Sequence, residues 1–269
     1  METKIIKKEN GTMKTKTTEM KMQVKPWAMC LCIMVVLCVA GCAATQQPRG
    51  PISGLGVQES GFLKDLYPLM KEGAEGQSLR VYLNPRVETL PADAYDKVLL
   101  NAVTIYFPPE SEMKKIPRKK LQELADLFAG QLAKELSKDY KLVKKPGPKT
   151  LRIEVALTDV METRTNLKAL SFVPAPALPG AKFAGLRTAE FLTGKPVFAG
   201  EVTAEVRMTD AKSGEVLFAA MDRRVGTRLG GGWKSWTDAE QAFRYWAEKV
   251  RYGLATQLRH ETDATPPKE

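Results

Sequence analysis

No cysteine follows Cys42, and the 269-residue chain contains a single histidine, His260. The first absence excludes a disulfide framework and any thiolate metal site from the rest of the chain. The second denies a metal site its usual imidazoles. A lone His just before the C-terminal tail reads as a solvated residue at a helix end, not as the base of a triad. Aromatic residues amount to 7%, and no basic run interleaves with them, so a nucleic-acid footprint is missing. No segment repeats at a fixed period, and no cofactor motif is legible.

What is present begins at the N-terminus. Cys30, Cys32, Cys38 and Cys42 are the only cysteines. Seven lysines and three glutamates in residues 1–41 supply +4 of the formal +10. Trp27 to Ala40 then runs without a charge. A basic region, a short apolar run and small residues make the layout of a secretory signal. The run is shorter than the roughly 20 residues that span a bilayer, unless the small residues through Ala44 are added, which would make a signal anchor. Val39-Ala40-Gly41-Cys42 resembles the lipobox of bacterial lipoproteins. That resemblance implies cleavage before Cys42, a diacylglycerol on its thiol and an acylated new amine, enough chains for stable anchoring. Ala43 in place of aspartate implies the outer membrane in a diderm host, facing the periplasm, or the cell membrane otherwise. Met13, Met20 and Met22 are alternative starts for the long basic region. The competing reading, a Cys-x-Cys metal or redox site at Cys30 and Cys32, would put those thiols inside an apolar helix.

Residues 43–60 are rich in Gly, Pro and Gln, so residues 42–60 read as a flexible tether. Leu79–Asn84 is a short strand candidate, and Lys97–Phe107 reads as a strand covered on both faces. Pro117 suits the first turn of a helix whose stripe is Leu121, Leu124, Phe128, Leu132 and Leu136. Leu151–Thr158 and Val202–Met208 alternate strictly, and Asp210–Gly214 turns the chain into a strand over Glu215–Met221. Thr237 to Glu240 matches a capping box, with Thr237 as N-cap, before a helix striped by Phe243, Trp246, Val250, Leu254 and Leu258. One-sided alternation leaves one sheet face for water or a partner. The expected fold is α/β (α+β): a two-layer sandwich, with a mixed or antiparallel sheet of about five strands and two amphipathic helices on one face. The expected organisation is a signal over 1–41, the tether over 42–60, one domain over 61–260 and a disordered tail over 261–269.

Several stretches together resemble a family of bacterial lipoproteins known as a domain of unknown function, family 3313. They are Ser60-Gly-Phe-Leu63, Tyr95-Asp-Lys-Val98, Asp210 to Phe218, Asp222-Arg-Arg-Val-Gly226, Trp236, and Ala242-Phe-Arg-Tyr-Trp-Ala247. The resemblance covers residues 60 to about 258. It implies lipoprotein status and supplies no site.

Few residues invite chemistry. Asp159 and Glu162 close a strand, and Asp222 adjoins Arg223 and Arg224. A carboxylate-dependent envelope hydrolase would need Asp159, Asp210 or Asp222 in one cleft; surface ion pairing is the plainer reading. Gly230 to Trp236 departs from a phosphate loop because Trp233 separates the glycines from Lys234-Ser235. The segment Asn166 to Gly200 is a long connection, rich in proline yet too apolar for disorder. It either completes the core or exposes Phe172, Phe183, Phe191 and Phe198 to dock a partner or the bilayer surface. The reading is a non-enzymatic, lipid-anchored envelope module with no cofactor and no metal. Its expected partners are the membrane, through Cys42, and another envelope protein, with no nucleic acid.

Overall fold

The computed structural model describes residues 45–48, 57–108, 111–161, 200–226 and 236–268. All of them lie in the unit Cys42–Glu269. They form one mixed sheet and two long helices. The strands are β1 (Thr45–Gln46), β2 (Lys71–Glu72), β3 (Arg80–Leu83), β4 (Lys97–Leu100), β5 (Thr104–Ile105), β6 (Lys141–Leu142), β7 (Thr150–Met161), β8 (Glu201–Asp210) and β9 (Val216–Gly226). The helices are α1 (Arg118–Leu136) and α2 (Thr237–Gln257). Strand order is β2-β3-β9-β8-β7-β4-β6, with β1 beside β9 and β5 beside β7. β4 and β5 run parallel to β7 and β6 runs parallel to β4, while the other pairs are antiparallel.

The sheet thus has nine strands among the described residues, against an expected five. Four of them are two residues long, too short to display alternation. The expected continuous strand over Lys97–Phe107 is broken. Leu100 pairs with Ile153 and Thr104 with Ala156, so four residues on one side oppose three on the other. That extra residue bends the chain outward. Beyond it Tyr106 and Phe107 are exposed rather than covered.

The predicted stripes are buried. Leu121, Leu124, Phe128, Leu132 and Leu136 of α1 share one cluster with Phe243, Trp246, Leu254 and Leu258. The same cluster contains Leu151, Ile153, Val155 and Leu157 of β7, and Val202, Ala204 and Met208 of β8. Phe128 and Phe243 stack at 4.7 Å between centroids, within the favourable range for aromatic pairs. Strand residues of this cluster define the first face of the sheet.

The second face is not left to solvent. Residues 57–70 cross it, and Phe62, Leu63, Tyr67 and Met70 bury against Ala156, Ala219 and Met221. Alanine at two central positions leaves the depth those larger side chains occupy. The expectation of an open face fails because its cover comes from an irregular segment of short 3-10 turn, which has no period to detect.

Both helix starts differ from expectation. Pro117 is the N-cap of α1, one position before the first turn. At α2 the N-cap is Trp236, no side chain caps it, and Thr237 is already helical. The capping box is therefore not formed. Asp238 in the first turn is committed instead to the backbone N–H of Gly200, at 3.0 Å. The hairpin is as its residues dictate: Asp210 Oδ1 accepts from the N–H groups of Lys212 and Ser213 and from Ser213 Oγ, and Gly214 has φ +76°.

Candidate functional site

Cys42, Glu162, Phe172, Phe183, Phe191, Phe198 and the glycines of Gly230–Gly232 lie outside the described residues. His260 is exposed just past α2, its Nε2 3.0 Å from the Leu90 carbonyl. Among the described residues, no group of three or more His, Cys, Asp or Glu side chains is placed to hold a metal ion.

The three candidate carboxylates are not brought together. Asp159 follows the β-bulge in β7 and meets Arg223 at 3.1 Å. Arg223 also donates from Nε to Thr203 Oγ1. Asp210 sits at the hairpin, where burial alone would raise its carboxyl. The Ser213 N–H and hydroxyl, the Tyr95 hydroxyl and the Lys212 N–H outweigh burial and hold it below the ordinary value. Asp222 is on the first face, 4% exposed, and accepts from Trp246 Nε1 at 2.7 Å, Gln47 Nε2 at 2.7 Å and the Leu79 N–H at 3.3 Å. Each carboxylate is engaged in holding elements together. Asp222→Asn should therefore cost about 1–2 kcal/mol in urea unfolding, because one oxygen acceptor becomes a donor facing donors. An unchanged midpoint would contradict that role.

Sequence reasoning missed how the N-terminal segment is used. Thr45 and Gln46 were expected in the tether but pair with Val225 and Gly226 of β9. Arg224, 1% exposed, donates from Nε to Thr45 Oγ1 at 3.0 Å and lies 3.6 Å from the Tyr245 ring centroid. The Gly/Pro/Gln composition carries no trace of this, since the partners are long-range.

It also missed Glu205. This residue points to the second face from the centre of β8 and is fully buried. Its carboxylate accepts from Tyr67 Oη at 2.8 Å and Ser60 Oγ at 3.0 Å. Tyr67 Oη in turn accepts from the N–H groups of Gly61 and Leu63. Burial raises the Glu205 carboxyl above its ordinary value, and burial likewise raises the Tyr67 phenol. In sequence Glu205 is merely the polar member of an alternating strand.

The remaining feature is a cavity. About 340 Å³ in volume, it lies between the first face of the sheet and α2. Val81, Leu83, Leu217, Phe218 and Ala220 contribute strand-side walls, Gly253 and Val250 belong to α2, and Pro266 and Pro267 of the tail close it. Lys249 Nζ, 3.8 Å from Asp222 Oδ2, stands with Gln77 and Ser78 on its lining. A second hollow of about 650 Å³ on the opposite flank of α2 is polar. Among the cations on its lining, Arg251 and Arg259 pair with Asp139 and Lys138 pairs with Glu135. Both volumes suit a small ligand, but only the first cavity has the predominantly apolar wall typical of such sites.

A family model described as "Protein of unknown function (DUF3313)" matches residues 58–250. Among solved structures, a PelC point-variant dodecamer from Paraburkholderia phytofirmans is similar at 13% identity, covering 67% of this chain and 95% of that one, with a TM-score of 0.33. A protein from Caulobacter crescentus, provisionally assigned as a lipoprotein, shows 14% identity, 65% and 97% coverage and a TM-score of 0.31. A neuraminyllactose-binding hemagglutinin homolog from Helicobacter pylori, also provisionally assigned, shows 12% identity, 66% and 92% coverage and a TM-score of 0.36. No curated protein matches the chain in sequence.

Proposed function

We propose that this chain, which belongs to the DUF3313 family of proteins of unknown function, is a lipid-anchored module of the bacterial cell envelope that binds rather than catalyses. The observation that carries the binding half is the contrast between the cavity and the carboxylates. The cavity wall is mostly apolar, and the two carboxyl residues on its lining, Asp222 and Glu205, are engaged by structural partners, as are Asp159 and Asp210 outside it. General acid/base work needs such a group held within reach of a substrate proton. The reading includes a two-layer arrangement, with both helices on the first face and the cavity between that face and α2.

The anchoring half rests on residues 27–42: an uncharged run, then Val39-Ala40-Gly41-Cys42. In this reading Cys42 carries the lipid, Ala43 directs the protein to the outer membrane, and the domain faces the periplasm. Phe172, Phe183, Phe191 and Phe198 are its proposed contacts with an envelope protein. Replacing Cys42 with serine should abolish incorporation of labelled palmitate and release the protein from the membrane fraction. Labelling that survives Cys42→Ser would sink the anchor. Crosslinking from the four phenylalanine positions in intact cells should capture one specific partner, and adducts from none of them would remove the docking surface.

A further inference from the structure

We infer that the cavity beneath α2 is a site for a single aliphatic chain bearing a small polar head, an inference that rests on the binding reading above. Its shape comes first. The lining follows α2 from Tyr245 to Leu258, about 20 Å at about 1.5 Å per residue, so the 340 Å³ is drawn out along the helix. A chain fills such a space; a compact fused ring does not.

Polarity comes second. Gln77 and Ser78 precede β3, and Asp222 accepts from the neighbouring Leu79 N–H while Lys249 stands over it. These groups form the polar end; of the polar residues further along α2, Thr256 gives its hydroxyl to the Tyr252 carbonyl and Gln257 is exposed. Phe128, Leu132, Leu151 and Val155 line the part that reaches into the core. One polar end and an apolar length match an amphiphile with one tail.

Gly253 is the third observation. It lies inside α2, where glycine is the poorest helix former after proline. A Cβ placed there would meet no atom within 4 Å, and the position opens onto the channel. Fold stability alone favours almost any larger residue at this site, since it would both firm the helix and fill space. Glycine keeps the channel clear midway along its length.

The test uses the full chain in lipid nanodiscs and a diazirine-bearing dodecanoic acid. Photoadducts, mapped by mass spectrometry, are expected on the peptides containing Val81–Leu83 and Lys249–Gln257. Excess dodecanoic acid, or a lysophospholipid with the same chain, should suppress them; whichever competes better identifies the source of the chain. Gly253→Leu and Gly253→Phe should lower the adduct yield about tenfold, equivalent to about 1.4 kcal/mol, while melting at or above the parent. If the phenylalanine variant does not fold, the leucine variant carries the comparison. Adducts that miss both peptides, or that persist in the filled variants, overturn the proposal. Should 1-aminoanthracene compete where dodecanoic acid does not, the chain is the wrong ligand class and the binding reading stands. If neither ligand reaches these peptides, both fall.

Discussion

Gly226→Ala is expected to destabilise the domain by about 3 kcal/mol or more. Gly226 ends β9, pairs with Thr45 and donates its N–H to the Gly200 carbonyl. An added Cβ would sit 2.3 Å from Asp238 Oδ2 and 2.4 Å from its Cγ. Asp238 is 2% exposed and holds the Gly200 N–H, so its short side chain has neither room nor freedom to retreat. Three elements meet here: the end of β9, the start of β8 and the first turn of α2. The clash must therefore displace one of them. Urea unfolding should show a lower midpoint for Gly226→Ala. The double variant with Asp238→Ala should recover about half the loss, since the obstacle is gone while the Gly200 N–H has lost its acceptor. Equal midpoints for Gly226→Ala and the parent would mean that the contact is not tight.

How far this was legible in the sequence depends on the range of the interaction. The stripes of α1 and α2, the alternation of β7 and β8, and the Asp210–Gly214 turn are local patterns, and each is present where its residues place it. The family-like stretches were legible as words without meaning. The structure shows what several of them do. Ser60 and Gly61 close over Glu205 and Tyr67, Tyr95 donates to Asp210, Trp246 donates to Asp222, and Gly226 faces Asp238. All four are contacts between distant segments that lock the fold, so the resemblance marked architecture and not chemistry. What no local pattern could reveal is a partner supplied from far away. Arg224 reaches Thr45 across 179 positions and Tyr67 reaches Glu205 across 138. The cavity is walled by residues from four strands and both helices, so it has no local sequence signal beyond Gly253 standing inside a helix.

Tyr67→Phe is expected to cost about 2–3 kcal/mol at pH 7.5, and the cost should shrink in acid. The hydroxyl donates to a fully buried carboxylate and accepts from two backbone N–H groups, so its removal strands all three. The pH dependence follows from Glu205. Burial lifts its carboxyl above the ordinary 4.5, against the pull of the Tyr67 and Ser60 donors. The folded chain then holds this proton at pH values where the unfolded chain has released it. Stability from this site is complete below about 4.5 and declines as pH rises through the folded value. Glu205→Gln removes the titration and keeps an acceptor for Tyr67. It should match or exceed the parent in melting temperature at pH 7.5 and lose that advantage by pH 4.5. In the glutamine background, Tyr67→Phe should cost less than in the parent at pH 7.5, because no charge is left stranded. Melting curves of the four chains at both pH values decide the matter. A Glu205→Gln variant that melts lower than the parent at pH 7.5, with the gap closing in acid, would show that the carboxylate stabilises the fold as a charge and that its donors outweigh its burial.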